Sequence, residues 1–210
     1  MYCKKLLIIG LFPLLAWAQS PFEFSHKERI AIEQQYSAIA IHRIDEFHQK
    51  LQEFQHENPN RQLLLVNAYV NTFLPQYDAV IDHQEEYWKT PKEFLSIGYG
   101  DCEDYVILKY FMLIALGFAK EKLFFAPVIE RYSGTYHMVL LYDKDPEKPP
   151  LVLDNISFRI LHVNARTDLK VLECFNTRGY YKCDANGKRV TISKRSKPFK
   201  RLLERVRSGQ

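Results

Sequence analysis

The sequence predicts an α+β fold in which N-terminal helices pack on an antiparallel sheet. Two observations carry that reading. Between residues 25 and 116, apolar side chains recur at three- and four-residue steps between capping signals; after Gly117 the chain changes to short apolar runs separated by turn residues. A third observation sets the scale. With 210 residues, 47% hydrophobic and 26% charged, and no internal repeat or low-complexity linker, the chain suits one well-buried core.

The first 18 residues read as a cleavable export signal. Lys4 and Lys5 form a basic start, Leu6 to Ala18 an apolar stretch, and Ala16-Trp17-Ala18 places small residues at −3 and −1 of a cleavage site. The apolar stretch is shorter than the ~20 residues a membrane span needs, and Pro13 lies inside it. Cleavage would take Lys4 and Lys5 from the 29 basic residues, leaving 27 against 25 acidic ones. That near-balance, with an exported address, gives no reason to invoke nucleic acid.

Ser25-His26-Lys27-Glu28 is a capping box, and from it one long helix is expected to about His56. Its apolar stripe is Ile32, Tyr36, Ile39, Phe47, Leu51 and Phe54, interrupted by Arg43. A second helix is expected from Arg61 to Leu74, ended by Pro75, and residues 76–89 read as an ordered loop. Thr90-Pro91-Lys92-Glu93 starts a short helix that stops at Gly98. Asp101 then caps a strongly apolar helix to Leu116, with Gly117 after its end; apolar residues cover most of its circumference, so it is the central, buried helix.

Strands are expected at 123–131, 136–142, 151–154, 158–163, 171–175 and, more weakly, 180–182. The domain is read as 19–187. The tail, 188–210, carries nine Lys or Arg against Glu204 alone and reads as a solvated or frayed terminal segment.

The chemistry concentrates in three places. Cys102 lies in YGDCEDY at the first turn of the central helix, where backbone N–H groups favour an anion and can lower a thiol pKa. The neighbouring acids Asp101, Glu103 and Asp104 oppose that unless something neutralises them. His137 lies in an apolar strand, and Asp154 ends the run Leu151-Val152-Leu153, where a carboxylate is costly unless paired. A hairpin around residues 143–149 would set His137 opposite Asp154 and Val139 opposite Val152, close enough for the carboxylate to orient the imidazole. Cys102, His137 and Asp154 then have the makings of a Cys-His-Asp triad. Three acids on one helix turn also suit a hard divalent cation, though not in an EF-hand pattern; salt bridges to nearby Lys or Arg are the other reading. Cys174 and Cys183 lie close enough in sequence to bridge a hairpin, and the sequence leaves that open.

A cysteine at the start of a central helix, followed by histidine and aspartate on neighbouring strands, resembles the transglutaminase-like and papain-like cysteine protease fold. YWKTPKEFL, GDCEDYVILKYF, HMVLLY, LVLDN and FNTRGYY together resemble the bacterial transglutaminase-like cysteine proteinases, the LapG family, over about 30–187. The resemblance implies Cys102 as nucleophile, His137 as general base and acid, and Asp154 as the orienting carboxylate. It implies calcium at Asp101 and Glu103, with Asp104 as third ligand, and Trp88 as a candidate indole donor to the oxyanion, an aromatic packed over the core being the other reading of Trp88. It further implies a periplasmic endopeptidase that cuts a large RTX-type surface adhesin near its N-terminus, often at an Ala-Ala step, releasing cells from biofilm. Its regulator would be an inner-membrane cyclic-di-GMP receptor of the LapD type. The basic tail and the Cys174/Cys183 pair depart from that pattern. A transglutaminase-type acyl transferase and a non-catalytic binding module are the alternatives.

Overall fold

The structure, a computed structural model, describes residues 20–76, 87–145, 147–192 and 196–209. The expected leader and most of the expected loop at 76–89 lie outside the described residues. Helices α1 (His26–Tyr36), α2 (Ala38–Gln55), α3 (Pro59–Val70), α4 (Pro91–Ile97) and α5 (Cys102–Ala115) precede the main sheet, as the sequence predicts. A two-residue parallel bridge joins β1 (Leu74–Pro75) to β2 (Tyr99–Gly100). Strands β3 (Leu123–Glu130), β4 (Tyr136–Tyr142), β5 (Leu151–Asp154), β6 (Ser157–His162), β7 (Leu169–Val171), β8 (Glu173–Phe175), β9 (Tyr180–Cys183) and β10 (Arg189–Ile192) follow. Their spatial order is β10-β9-β8-β3-β4-β5-β6, with β7 also on β3, and every pairing in this sheet is antiparallel.

α5 is the core of the molecule. Tyr105, Val106, Ile107, Leu108, Lys109, Tyr110, Phe111, Met112 and Leu113 are all buried, so the helix is enclosed on every side. It packs on β4 and touches α3 and α4. A helix held on all faces gives its first turn a fixed position, which is what a nucleophile at that turn requires.

The expected single helix from 25 to 56 is two helices. Ser37 takes φ 76° and its hydroxyl caps Ile39, ending α1 and starting α2. Of the stripe drawn through Ile32, Tyr36 and Ile39, only Ile32 packs on the core, half-buried; α1 fully buries no residue, Tyr36 is exposed, and Ile39 is 71% exposed. The buried face of α2 is Ala40, Ile44, Phe47 and Phe54. Arg43, which interrupted the apolar stripe, has a structural task. Its guanidinium donates to the carbonyls of Leu95 (2.8 Å) and Ser96 (2.9 Å), satisfying the open end of α4. Gly98, at φ 88°, gives it room; a Cβ there would lie 2.3 Å from the guanidinium carbon.

α3 begins at Pro59 and ends at Val70, four residues short of the expected end, and a turn at 71–73 leads into β1. The strand expected at 171–175 is split into β7 and β8. The break faces Pro127 of β3, which has no N–H to give the ladder; the Leu172 N–H to Pro127 carbonyl contact spans it, at 3.4 Å. Cys174 and Cys183 form a disulfide across the β8–β9 hairpin, with Cα atoms 5.8 Å apart.

The basic tail is folded, against the expectation of a solvated segment. β10 pairs with β9, and residues 197–208 form α6 (Lys197–Ser208), capped by Ser196. Its positive residues conceal an apolar side: Phe199 and Leu202 are buried, and Phe199 packs on Phe125 at 4.7 Å between ring centres. Charge dominates the composition of this stretch, while apolar residues at helical spacing decide its structure.

Candidate active site

The capping box at the start of α5 is formed by Asp101 and Asp104. The Asp101 carboxylate accepts from the Asp104 N–H at 3.4 Å, and Asp104 accepts from the Asp101 N–H at 3.3 Å. Gly100 makes the entry possible, since a Cβ there would meet Asp104 Oδ2 at 2.3 Å. Cys102 follows as the first helical residue. Its thiol donates to Glu103 Oε2 at 3.2 Å, and the main-chain N–H of Met138 on β4 reaches the sulfur. Burial, reinforced by the Glu103 carboxylate, pushes the thiol pKa well above its ordinary value, and the Met138 N–H opposes this only in part.

His137 Nε2 is 2.8 Å from Asp154 Oδ1. The bond forms, but the expected register does not produce it. β4 and β5 pair as Leu140↔Leu153, Leu141↔Val152 and Tyr142↔Leu151, two residues displaced from the expected alignment. His137 therefore reaches Asp154 diagonally on the same sheet face. The two-residue error preserves the face because side chains alternate with period two. A register irregularity between Val152 and Asp154 accompanies the turn into β6.

Asp154 is fully buried and held on every side. Oδ1 also accepts the Ile156 N–H at 3.1 Å, and Oδ2 accepts from Arg166 Nη2 at 2.8 Å. Arg166 in turn bonds Asp168, at 2.6 Å from Nη2. Burial alone would raise the Asp154 pKa, but the His137, Ile156 and Arg166 donors hold it below the usual carboxylate value. The Asp154 main chain is also fixed: its N–H donates to Asn67 Oδ1 at 3.1 Å, and Asn71 Nδ2 donates to its carbonyl at 2.8 Å.

Behind this network lies Lys109, with no exposed surface, donating to Asn67 Oδ1 at 2.8 Å. Burial lowers its pKa from 10.5 to about 7, against the pull of Asp154. The unfolded chain keeps that proton to higher pH than the folded one, so this group makes stability rise with pH between about 7 and 10.5. Lys109→Met should therefore have its greatest advantage over wild type at or below neutral pH. The difference should move toward wild type by up to about 1.4 kcal/mol per pH unit above it. Urea melts at pH 6.5 and 9 check this; a pH-independent difference would contradict it.

Cys102, His137, Met138 and Trp88 line one cleft of about 980 Å³, with Phe175 and Tyr180 on its sheet side and Ser196, Lys197 and Pro198 on its C-terminal side. Trp88 is 5% exposed and stacks on Phe125 and Phe175. Its indole N–H is buried without a hydrogen-bond partner among the described residues. Buried orphan donors are rare and call for an explanation.

The three acids are crowded. The Asp101 carboxylate interacts with those of Glu103 and Asp104, and burial raises the Glu103 pKa. Asp104 is buried and ion-paired to Lys89, Nζ to Oδ2 at 2.7 Å, with the Lys89 N–H on Oδ1 at 2.8 Å. Among the described residues, no three His, Cys, Asp or Glu side chains are grouped as a ready metal site. The donor chemistry nevertheless fits a hard cation at Asp101 and Glu103, two half-buried carboxylates side by side whose oxygens suit such an ion. Asp104 would have to exchange its ammonium partner to join them.

The six residues singled out in the sequence as triad and acidic turn thus lie around one helix start and the facing strands, and Trp88 borders the same cleft. Arg166, Asn67 and Lys109 were not legible as site residues. Lys109 alone left a signal, a lysine inside an otherwise apolar helix; Arg166 and Asn67 sit in unremarkable polar stretches and reach Asp154 only through the fold.

An enclosed helix presenting a thiol at its N-terminus to a histidine-bearing antiparallel sheet is the architecture of the transglutaminase-like cysteine proteinases. The chain belongs to the bacterial members of that class, the LapG family: the family model described as bacterial transglutaminase-like cysteine proteinase (BTLCP) matches residues 34–173. Among solved structures, calcium-bound Legionella pneumophila LapG superposes with a TM-score of 0.73 at 30% identity, covering 87% of this chain and 99% of that one. A further L. pneumophila LapG structure gives 0.71 at 31% identity, covering 87% and 98%. The EGTA-treated form gives 0.73 at 30%, with the same coverage of 87% and 98%. No curated protein matches.

Proposed function

We propose that this protein is a periplasmic, calcium-dependent cysteine endopeptidase that cuts the N-terminal region of a large RTX-type surface adhesin at an Ala-Ala step. Release of the adhesin would disperse biofilm, and an inner-membrane cyclic-di-GMP receptor of the LapD type would sequester the enzyme. The observation that carries the catalytic part is the 2.8 Å bond from His137 to buried Asp154 on the wall of the cleft that also holds Cys102. The address rests on the leader-like first 18 residues; among the described residues no helix is long and apolar enough to cross a membrane.

In this reading Asp154 fixes the imidazole through Nε2, leaving Nδ1 to take the Cys102 proton. The sulfur attacks the scissile carbonyl, and the oxyanion is met by the Cys102 N–H at the positive end of α5 and by the Trp88 indole N–H. His137 returns the proton to the leaving amine, and water then hydrolyses the thioester with His137 as base. Asp101 and Glu103, with Asp104 released from Lys89, would hold calcium. When bound, the ion neutralises the negative charge that otherwise keeps the neighbouring thiol protonated. One of the Legionella pneumophila LapG structures is calcium-bound, which supports calcium as the ion here.

Incubation with an adhesin N-terminal fragment tests this. Cleavage should fall by about tenfold or more on adding a calcium chelator, as one unit of thiol pKa would dictate, and return with excess calcium. Cleavage indifferent to the chelator removes calcium from the reading. Incorporation of a labelled amine without cleavage would favour acyl transfer instead.

A further inference from the structure

The C-terminal helix is tied to the cleft by more than apolar packing. Arg205 on α6 donates from Nη1 to the main-chain carbonyl of Trp88 at 2.9 Å. Its Nη2 meets the Tyr87 hydroxyl at 2.5 Å and is ion-paired to Glu93, and the guanidinium lies over the Tyr87 ring. Glu93 is itself the capping carboxylate of α4 and accepts from the Thr90 N–H at 2.6 Å. On the other side of Trp88, the Lys89 N–H is fixed to Asp104 at 2.8 Å. The peptide carrying the indole is thus pinned on one flank by α6 and on the other by α5. From the same helix Phe199 packs on Phe125 and Phe175, the two rings on which the indole stacks.

We propose that α6 is a working part of the active site, with Arg205 a positioning residue that holds the Trp88 indole N–H in place for the oxyanion. This rests on the reading of Trp88 as oxyanion donor. The physical case is that the buried orphan N–H of a cleft-lining side chain serves a reaction only if it is fixed before the charge develops. Indole stacking restrains the ring plane but permits sliding within it. The Arg205 fork, joined to a main-chain carbonyl and to the Glu93 carboxylate at once, removes that freedom. A lysine offers a point charge and can satisfy Glu93 without holding the carbonyl in the same geometry.

The test compares Arg205→Ala, Arg205→Lys, Trp88→Phe and the double variant Trp88→Phe/Arg205→Ala in the full chain, with kcat and KM measured on an Ala-Ala-centred adhesin peptide. Trp88→Phe should lower kcat by about 10²-fold, as loss of one oxyanion donor does. Arg205→Ala should lower kcat by about tenfold or more with little change in KM, because misplacement by a fraction of an ångström suffices. On the Trp88→Phe background the Arg205 effect should disappear. Arg205→Lys should retain the folded state and still show reduced kcat, which keeps the proposal testable if the alanine variant does not fold.

A second readout does not depend on turnover. Once the first 18 residues are cleaved Trp17 is gone and Trp88 is the sole tryptophan, and Arg205→Lys should shift its emission to the red and increase quenching by acrylamide. Unchanged emission and unchanged kcat in a folded Arg205→Lys protein would overturn the proposal, as would full additivity with Trp88→Phe. If Trp88→Phe itself leaves kcat unchanged, or wild type cleaves no such peptide, the oxyanion reading fails first and the role given to Arg205 falls with it.

Discussion

Replacing Cys102 by alanine should abolish cleavage of the adhesin fragment, with a loss of at least about 10⁴-fold in kcat. The magnitude follows from what remains. The imidazole–carboxylate pair would still be in place, as would the N–H donors at the helix start, but without the Cys102 sulfur no thioester acyl-enzyme can form. Stability should change little, because Cys102 is only partly buried and its sulfur makes two weak bonds, one donated to Glu103 and one accepted from the Met138 N–H. Cys102→Ser sharpens the test: the hydroxyl retains that bond yet is a much poorer nucleophile, so it should be nearly as inactive as alanine. Thiol alkylation gives an independent check. Cys174 and Cys183 are bonded to each other, so Cys102 is the free thiol among the described residues. Iodoacetamide should label it slowly when chelator is present and faster with calcium. Cleavage that persists in Cys102→Ala would end the proposed mechanism.

Asp154→Asn is expected to lower kcat by about 10³- to 10⁴-fold, through the wrong imidazole tautomer rather than through loss of any reacting atom. A neutral amide cannot hold the imidazolium that forms when His137 takes the thiol proton. This substitution should also weaken the fold, which distinguishes it from Cys102→Ala. Arg166 is 7% exposed and shares its charge between Asp154 and Asp168, so removing one anion leaves a buried cation half-compensated. Breaking a buried ion pair costs about 3–5 kcal/mol, reduced here because Asp168 remains. Denaturant melts of Asp154→Asn beside His137→Ala should show the larger stability loss in the former. Near-wild-type kcat in Asp154→Asn would mean that His137 is oriented by something else.

The helix–sheet division and the central helix were legible because they depend on local signals. The box Asp101–Asp104, the stop at Gly98 and the unbroken apolar character of 105–114 are decided within a few residues of chain. The bond between His137 and Asp154 was legible for a weaker reason: alternation put both on one face, so even an alignment wrong by two residues left them in reach. Ser37 shows the opposite case. Nothing in its neighbourhood forbids a continuous helix, and the break shows only in the fold, where Ser37 takes φ 76° and its hydroxyl caps Ile39.

The tail shows most clearly where local reading ends. Nine positive residues within 23 positions look like a solvated segment, since charge is a property of composition. That Phe199 finds Phe125, and Arg205 finds Trp88 at a sequence distance of 117, depends on how the sheet carries the chain back across the cleft. By itself, then, the sequence determined the secondary structure around the thiol, the three residues of the proposed triad and the acidic turn. Only the tertiary structure decided which residues support them: Arg166 and Asn67 behind Asp154, Lys109 beneath, and α6 against Trp88. Supporting contacts join elements distant in the chain, and, Lys109 in its apolar helix apart, their residue types are common enough that no local pattern marks them before the fold brings them together.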